Sequence, residues 1–479
     1  MNYSMIFFIL GWIFNFEAAF MLLPGITAII YQEKNGLAFL ITMIICLAIG
    51  LPLTRKKPQN KVFHAKEGAV TVALSWIVLS MAGAFPFVIS GSIPNPIDAM
   101  FETVSGFTTT GASILSDVEA LSHCMLLWRS FTHWIGGMGV LVFILCLLPL
   151  TGGYHMNLMK AESPGPSVSK LVPKVQTTAK ILYTIYLMLT VLQMILLLIG
   201  RMPLFDTVCL TFGTAGTGGF GIKNDSIAGY STYNQIVITV FMILFGVNFN
   251  VYYLLLTKKV VQAAKSEEVR YYFGIIAVAI IAIAINTKGM YTSFGRAIQQ
   301  AAFQVGSIIT TTGYATTNFN VWPVLSKTIL VMLMFVGACA GSTGGGIKVS
   351  RLMILCKSAR KELQLYLHPN AVKKIKMDGK AIPHEVVRAT NMFLFVYILI
   401  FVVSLLVISL DNFDMVSNFT AITATLNNIG PGLGAVGPTG NFGCYSYLSK
   451  VIMIFDMLAG RLEIFPLLLL FKRDTWRKF

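Results

Sequence analysis

The chain alternates between long apolar stretches and short polar or glycine-rich segments. Stretches of about 17 to 25 mostly apolar residues are long enough to cross a bilayer as helices. Such stretches occur near residues 4–31, 37–53, 68–90, 124–149, 179–201, 233–257, 271–287, 326–356, 386–410 and 446–471. We therefore predict an all-α integral membrane protein with about ten transmembrane helices and both termini on the same side of the membrane.

Four shorter segments between the spans extend for only about three turns each, which is too short to cross a bilayer. They read NPIDAMFETVSGF, MPLFDTVCLTFG, SFGRAIQQAAFQVGS and DNFDMVSNFTAITA. A glycine-containing segment follows each of them: FTTTGAS, GTAGTGGFG, SIITTTGYA and TLNNIGPGLG. The pattern predicts four half-helices, each of which ends at a glycine turn.

The glycine turns recur at intervals of roughly 100 residues, and regular self-similarity of this kind is typical of a repeated architecture. Each unit consists of a helix, a half-helix, a glycine turn and a second helix. We predict an N-terminal two-helix hairpin over residues 1–66, followed by pore units over 67–160, 161–265, 266–380 and 381–479.

Positive charge is concentrated on one side of this predicted topology. The chain has 36 Lys and Arg against 20 Asp and Glu, and 27 of the 36 fall in the segments 54–66, 160–180, 258–270, 347–388 and 472–479. All five segments lie on the same side, which the positive-inside rule assigns to the cytoplasm together with both termini. Topology thus accounts for the basic runs, and no nucleic-acid partner is expected.

The remaining composition offers no enzymatic chemistry. Hydrophobic residues make up 56% of the chain, far from the balance of a soluble protein. The seven cysteines are scattered without a C-x-x-C pair, and the six histidines are dispersed. We predict that the protein is not an enzyme and contains no cysteine or histidine metal site.

Four glycine turns that meet on one axis could bind a cation. Each half-helix would direct the negative end of its dipole toward its turn. Backbone carbonyls, supplemented by threonine hydroxyls, could replace the water around a dehydrated monovalent cation. The alternative is that these segments are ordinary turns in outer loops, but four copies, each preceded by a half-helix, favour an ion filter.

A second glycine-rich run, GACAGSTGGGIKVSR, interrupts the apolar stretch 326–356. Each glycine destabilises a helix by about 1 kcal/mol relative to alanine, so the helix should break there. A nucleotide-binding P-loop requires lysine directly after its second glycine, whereas Ile347 precedes Lys348 here. From the residues alone, a gate and a flexible kink both remain open.

Together these motifs resemble the Trk/Ktr superfamily of potassium transporters, and most closely its Trk-type pore subunits. The resemblance covers nearly the whole chain. It is carried by SGFTTTGAS, GTAGTGGF, SIITTTGYA and LNNIGPG, and also by HWIGGMG (133–139), GSTGGGIK (341–348) and GRLEIFP (460–466). The two helices before the first unit also match the Trk branch.

The resemblance implies site residues for a potassium filter and for a gate below it. The implied filter residues are Thr109, Thr110, Gly111, Gly216, Thr217, Gly218, Thr311, Thr312, Gly313, Asn428, Ile429 and Gly430. The implied gate residues are Gly341, Ser342, Thr343, Gly344, Gly345, Gly346 and Arg461. Because the second and fourth turns have lost most of the threonines, selectivity against sodium should be weaker than in tetrameric potassium channels.

The resemblance also implies how the protein works in the cell. It implies potassium uptake across the bacterial inner membrane, a homodimer, and a cytosolic nucleotide-binding regulatory subunit of the Trk type that controls the gate. The rival hypothesis is a secondary transporter with broken helices at the midplane, which would couple its substrate to an ion gradient. Two inverted repeats would be expected of such a transporter, whereas this chain shows four units of one orientation.

Ionisable residues near the turns or within spans are expensive in a membrane and therefore candidates for function. Glu102, Asp206, Asp414 and Glu463 belong to this group, although helix capping or hydrogen bonding between helices explains each equally well. Arg461 lies within the apolar stretch 446–471. It could pair with Glu463 or Asp456, although neither is well placed on the same helix; alternatively, as the resemblance favours, it could point into the pore below the filter.

Overall fold

The computed structural model describes residues 1–56, 58, 64–139, 175–370 and 373–477. Nearly all regular structure in these ranges is helical. The exception is a hairpin of two-residue strands, β1 (Lys376–Met377) and β2 (Lys380–Ala381), which pair antiparallel. The prediction of an all-α membrane protein is confirmed.

Helices make up most of the described N-terminal region, where a two-helix hairpin was predicted. They are α1 (Tyr3–Phe20) and α2 (Leu22–Ile30), followed by α3 (Gly36–Arg55). At Gly50 a Cβ atom would lie 2.9 Å from the carbonyl oxygen of Gly11, so the backbones of α1 and α3 approach closely at these two glycines. Small residues at helix contacts are the usual means of such packing in membranes.

Four long helices open the four units. They are α4 (Ala65–Ile89), α7 (Val175–Ile199), α12 (Glu267–Thr287) and α16 (His384–Ile408). The half-helices follow each of them in turn: α5 (Pro96–Phe107), α8 (Leu204–Ala215), α13 (Phe294–Ile309) and α17 (Met415–Leu426). Their lengths of 12 to 16 residues confirm that the half-helices are too short to span a bilayer.

The second helix of each unit is shorter than predicted or is interrupted. These helices are α6 (His123–Met138), α9 (Thr232–Phe245) with α10 (Phe249–Leu256), α14 (Val324–Val336) with α15 (Val349–Leu367), and α18 (Tyr447–Arg461) with α19 (Phe465–Leu469). The short helices α11 (Val260–Ala264) and α20 (Arg473–Trp476) lie outside the units' main helices. Single 3-10 turns occur at Lys288–Met290, Phe319–Val321, Ser409–Asp411, Gly434–Val436 and Phe442–Cys444.

Because of these interruptions, the described residues do not form the ten continuous spans that were predicted. In the described ranges, six helical stretches are long and apolar enough to cross a membrane: Tyr3–Ile30, Gly36–Arg55, Ala65–Ile89, Thr177–Ile199, Glu267–Met290 and His384–Asp411. A seventh, Thr232–Phe245 with Phe249–Leu256, is bent by 92°. The predicted stretches 326–356 and 446–471 are broken helices, and the end of 124–149 lies outside the described residues, as does the predicted unit boundary at residue 160.

The breaks occur where the backbone adopts torsions that a helix cannot accommodate. Gly337 has φ of 72°, and Glu463 and Ile464 have φ of 61° and 66°. Gly139, which ends α6, has φ of 82°. All of these values lie in the left-handed region, where L-residues are strained. Such breaks in a membrane are tolerated where the backbone is buried in protein or faces a polar cavity.

The half-helices form the buried centre of the molecule. Phe101 and Phe303, which each lie ten residues before a turn glycine, are both almost fully buried. Asn95 caps the first half-helix by accepting from the amide of Ile97 at 2.9 Å. Asp414 caps the fourth by accepting from the amide of Ser417 at 3.1 Å, so capping accounts for this carboxylate.

Candidate functional site

The four glycine turns share one backbone conformation. We call them loop 1 (108–111), loop 2 (216–219), loop 3 (310–313) and loop 4 (427–430). The second residue of each loop is left-handed: φ is 56° at Thr109, 54° at Thr217, 57° at Thr311 and 55° at Asn428. Non-glycine residues rarely adopt this region, so four occurrences at equivalent places identify one repeated structure.

Hydrogen bonds at the ends of the half-helices repeat in the same way. The third residue of each loop donates its amide to a carbonyl five residues earlier: Thr110 to Ser105, Gly218 to Gly213, Thr312 to Ser307, and Ile429 to Ala424, each at 2.8 Å. These amides are therefore turned back toward their half-helices. The carbonyl groups of the same residues remain available to face the space between the loops.

The loops surround a common axis in chain order. A Cβ atom on Gly111 would lie 2.0 Å from the carbonyl oxygen of Gly218, and one on Gly219 would lie 1.9 Å from that of Thr312. A Cβ atom on Gly313 would lie 2.1 Å from the carbonyl oxygen of Ile429, and one on Gly430 would lie 2.8 Å from that of Thr110. Each loop glycine thus lies against the third-residue carbonyl of the next loop, and the series closes on itself. We call these four carbonyls, of residues 110, 218, 312 and 429, the carbonyl ring.

The geometry corrects the predicted register of loop 2. Gly216, Thr217 and Gly218 were matched with Thr109, Thr110 and Gly111, but the left-handed residue in this loop is Thr217 and the positive-φ glycine is Gly219, with φ of 79°. The equivalent three residues are therefore Thr217, Gly218 and Gly219. Gly216 instead corresponds to the half-helix cap at Thr108. In loops 1, 3 and 4 the three predicted residues occupy the equivalent places.

The hydroxyls of the threonine-rich loops mainly connect protein groups. Thr108 and Thr110 share a hydrogen bond of 2.8 Å, and Thr310 and Thr312 share one of 2.7 Å. Asn428 donates to the Thr110 hydroxyl at 2.9 Å and thereby links loop 4 to loop 1. These contacts hold the loops in place, so backbone carbonyls are the more accessible oxygen ligands of the site.

The second glycine-rich run forms an irregular segment, 337–348, which we call the glycine loop. Its Gly345 amide donates to the Thr311 hydroxyl at 2.6 Å. A Cβ atom on Gly344 would lie 2.8 Å from the carbonyl oxygen of Thr310, and one on Gly345 would lie 2.6 Å from that of Asn427. The glycine loop therefore lies directly against the half-helix ends of loops 3 and 4.

Hydrogen bonds fasten the glycine loop to the bend in the second unit. The Cys339 amide donates to the Gly246 carbonyl, and the Phe249 amide donates to the Gly341 carbonyl, both at 3.0 Å. Buried Glu268 accepts from the Ala340 amide at 2.7 Å. Lys348, itself 1% exposed, donates to the carbonyl of Gly344. These contacts satisfy much of the backbone that the helix break leaves unpaired.

Arg461 connects the glycine loop to two other units. Its guanidinium donates to the carbonyl of Thr343 at 2.9 Å and to those of Gly136 and Gly137 at 2.5 and 2.9 Å. Glu463, one suggested partner, forms an ion pair with Arg351 instead. Asp456, the other, accepts from Ser404 at 2.8 Å. Arg461 therefore pairs with neither suggested carboxylate and lies beside the glycine loop; its position in the pore stays a prediction.

Comparison with known protein families gives a match over most of the chain. The family model described as "TrkH: Cation transport protein" matches residues 35–477. The chain belongs to the TrkH family. The family resemblance predicted from the motifs is confirmed, and the chain is a multi-pass membrane protein.

Relatives and a solved structure of the TrkH family cover the full chain. The Trk system potassium uptake protein TrkH of Salmonella typhimurium is 38% identical over 490 residues and covers 100% of both chains. TrkG of Escherichia coli is 33% identical and covers 98% of this chain and 97% of its own. The crystal structure of the potassium transporter TrkH from Vibrio parahaemolyticus superposes with a TM-score of 0.89 at 33% identity, with complete coverage of both chains. These names describe transport proteins, in agreement with the prediction that the chain is not an enzyme.

His133, in the TrkH-family motif HWIGGMG, supports loops 1 and 2 but was assigned no role from the sequence. Its Nδ1 lies 2.7 Å from the carbonyl oxygen of Gly106, and its Nε2 accepts from the amide of Phe220 at 3.2 Å. This pair of contacts requires the neutral ring with its proton on Nδ1. A Cβ atom on Gly218 would lie 2.2 Å from the ring, so His133 lies directly behind the carbonyl ring.

The glycines of the same motif allow the second helices to approach the half-helix ends. A Cβ atom on Gly136 would lie 1.8 Å from the carbonyl oxygen of Phe107. In the fourth unit, a Cβ atom on Gly460 would lie 2.1 Å from the carbonyl oxygen of Leu426. Phe107 and Leu426 are the last residues of their half-helices, so HWIGGMG and GRLEIFP supply equivalent contacts in two units.

A buried ion pair also stabilises loops 1 and 2. Arg129 contacts Glu102 at 2.7 and 2.8 Å, and both side chains are almost fully buried. Arg129 also donates to the carbonyl of Gly221 at 3.2 Å, and Glu102 accepts from the amide of Ile114 at 3.0 Å. The pair thus joins the segments that follow loops 1 and 2. The sequence marked Glu102 as a candidate but did not identify Arg129 as its partner.

A cavity of about 220 Å³ lies next to the carbonyl ring, on the side of Arg129. Each loop contributes its glycine to the lining: Gly111, Gly219, Gly313 and Gly430. The cavity therefore opens onto all four loops, and the glycine loop lies against their half-helix ends. Asp206, the remaining candidate carboxylate, accepts from the Tyr230 hydroxyl at 2.8 Å and does not line this cavity.

Proposed function

We propose that this protein carries potassium into the bacterial cell through one channel-like pore along the axis of the four loops. The observation that carries the proposal is the closed carbonyl ring, in which each oxygen adjoins the glycine of the preceding loop. Relatives over the full length are named potassium uptake proteins, which supports potassium as the transported ion.

The physical basis is replacement of the ion's hydration shell by fixed carbonyl oxygens. Each half-helix ends at its loop, so the negative ends of four helix dipoles point toward the axis and favour a cation there. The filter then consists of Thr109, Thr110 and Gly111; Thr217, Gly218 and Gly219; Thr311, Thr312 and Gly313; and Asn428, Ile429 and Gly430. With different side chains behind the ring in each unit, we expect weaker selectivity against sodium than a symmetrical filter provides.

The glycine loop is the proposed gate of this pore. Residues Gly341 to Gly346 lie between the bend of the second unit and the ends of loops 3 and 4. We propose that in this position they obstruct the path along the axis. The loop's contacts are mostly single hydrogen bonds to backbone carbonyls. Such contacts can exchange for water when the loop moves, so the segment is suited to opening and closing.

Replacing Arg461 with alanine should raise potassium flux about fivefold. The change removes the guanidinium that holds the Thr343 carbonyl, and hydrogen bonds to charged groups contribute about 1.5–3 kcal/mol. Loss of even half of that shifts a two-state gate measurably toward its open form. The measurement is uptake per folded molecule in liposomes.

Arg461→Lys is the matched variant for this prediction. It keeps the positive charge and a donor for the Thr343 carbonyl but loses the guanidinium fork that also reaches Gly136 and Gly137. Because the Thr343 contact is the one that holds the glycine loop, flux should stay within about twofold of the wild type. A fall in folded protein without a gain in flux per molecule would make Arg461 a structural residue only.

The proposal includes the assembly and orientation that the family resemblance implies. Both termini lie in the cytoplasm, two copies of the chain form a homodimer, and a cytosolic nucleotide-binding regulatory subunit acts on the gate from the inner face. The names of the relatives, which place them in a Trk system, support association with other components. Five basic segments on one side of the topology support the orientation.

A flux assay with the purified chain in liposomes tests the function. We expect potassium to move down its own gradient, and sodium more slowly, without an imposed proton or sodium gradient. If potassium uptake requires such a gradient, the protein is the rival ion-coupled secondary transporter. If neither condition gives potassium flux above that of empty liposomes, the proposal fails.

A further inference from the structure

A basic cavity of about 580 Å³ lies between α15, the β-hairpin and the start of α16. It is far along the chain from the four loops and plays no part in the proposed pore. Five basic or titratable side chains line it, Lys361, Lys373, Lys374, His384 and Arg388, against the single carboxylate of Glu362. The cavity therefore carries a strong excess of positive charge.

Most of this charge is not neutralised within the protein. Lys373 donates to the side-chain oxygen of Gln364 at 2.8 Å. Among the described residues, the ion pairs found in the structure do not include Lys361, Lys374 or Arg388. A concave site with several uncompensated cations favours a ligand with concentrated negative charge, and a phosphate group meets that requirement.

The surroundings of the cavity place it at the edge of the membrane. Arg388 and Asn391, which line it, lie in the first two turns of α16, one of the six spanning stretches. Further along the same helix, Met392 is 47% exposed and Phe395 is 62% exposed. Phe395 lies seven residues after Arg388 on the helix, a rise of about 10 Å. An apolar surface therefore begins about the length of one lipid headgroup away from the basic cavity.

The facing helix α15 runs antiparallel to α16: Arg351, near its start, lies 4.0 Å from the ring of Phe393, whereas Lys361 lines the cavity together with Arg388. Leu363 and Tyr366 on α15 are 66% and 86% exposed, next to the lining residues Lys361 and Glu362. Both residues follow Lys361 on this antiparallel helix, so they lie on the side of the cavity away from Phe393. A soluble phosphate compound would leave the exposed Met392 and Phe395 uncovered, whereas a lipid would cover them with its chains.

We infer that this cavity binds the phosphate headgroup of an anionic phospholipid through Lys361, Lys374 and Arg388. Basic pockets between transmembrane helices on the cytoplasmic side are suited to such headgroups. The bound headgroup bridges α15 and α16, two helices that already contact each other where Arg351 lies 4.0 Å from the ring of Phe393. Binding therefore stabilises the junction between the third and fourth units.

The test measures lipid binding to the purified full chain in detergent. Wild type and the triple variant K361Q/K374Q/R388Q are titrated with phosphatidylglycerol and with phosphatidylcholine, and bound lipid is counted by native mass spectrometry. We expect the wild type to prefer phosphatidylglycerol. Each lost cation should lower that affinity about fivefold, and the triple variant should lower it about 100-fold.

A second triple variant controls for general surface charge. K258Q/K259Q/K265Q removes three exposed lysines from another segment of the same predicted side, outside the cavity. Its affinity for phosphatidylglycerol should stay within about threefold of the wild type. Equal losses in the two triple variants would overturn the site, since any basic patch would then have the same effect.

Soluble phosphate compounds and a single-residue variant complete the test. Glycerol 3-phosphate and ATP carry the same phosphate chemistry without acyl chains, and binding of either as tight as that of phosphatidylglycerol would overturn the lipid as the ligand. If the triple variant does not fold, Lys374→Gln alone, on the segment before the β-hairpin, should still lower the affinity about fivefold. An unchanged affinity in that variant would also overturn the inference.

Discussion

Replacing Gly313 with alanine is expected to lower potassium uptake at least about tenfold and to admit sodium. Gly313 has φ of 88°, a conformation that costs an L-residue about 1–2 kcal/mol. The new Cβ atom would also lie 2.1 Å from the carbonyl oxygen of Ile429. That oxygen belongs to the carbonyl ring, so relief of the clash displaces a proposed ion ligand.

The measurement is uptake of potassium and of sodium per folded molecule in liposomes. Gly306→Ala is the matched control, because it lies in the half-helix of the same unit and its Cβ atom would have no neighbour closer than 3.4 Å. This variant should keep uptake within about twofold of the wild type. An unchanged preference for potassium over sodium in Gly313→Ala would rule out the filter assignment for loop 3.

Deletion of residues 342–345 from the glycine loop should raise potassium flux more than tenfold in the absence of any regulator. The deletion removes the segment that lies against loops 3 and 4, including the Gly345 amide that donates to Thr311. It leaves the carbonyl ring and its four glycines intact. The obstruction is thereby removed while the ion ligands remain, so selectivity should change less than flux does.

Ser342→Ala provides the control for this deletion. The Ser342 hydroxyl donates to the carbonyl of Cys339 at 2.6 Å, a contact confined to the glycine loop itself. The variant keeps the length of the loop and should therefore conduct as the wild type does. If the deletion instead abolishes flux in a protein that folds and is extracted normally, the glycine loop is a structural support of the pore and not its gate.

Local sequence was enough to predict the membrane class, the half-helices and a helix break within GACAGSTGGGIKVSR. Each of these features depends on neighbouring residues: a span needs a continuous apolar stretch, and a half-helix needs one that stops after about three turns. The run of glycines around Gly344 raises the cost of a helix within a single segment. Local sequence determines these features because the residues that favour a span over a half-helix, or a break over a helix, lie within the segment itself.

The register of loop 2 could not be determined in this way. Its segment GTAGTGGFG has several glycines, and any of them could occupy the turn. What selects Gly219 is the carbonyl oxygen of Thr312, which would lie 1.9 Å from a Cβ atom there. That neighbour is more than ninety residues away along the chain, so the constraint exists only once loops 2 and 3 have come together.

The same holds for the charged residues around the site. Sequence distance eliminated good same-helix partners for Arg461, but its carbonyl acceptors in the first and third units arise from packing of three distant segments. Arg129 and Glu102 likewise lie on different helices that meet only in the folded unit. The sequence by itself therefore determined the membrane class, the four half-helices and their glycine turns, because these follow from local hydrophobicity and backbone preference. Only the tertiary structure decided how the carbonyls form a ring and where the buried charges find partners, because both depend on distances between units.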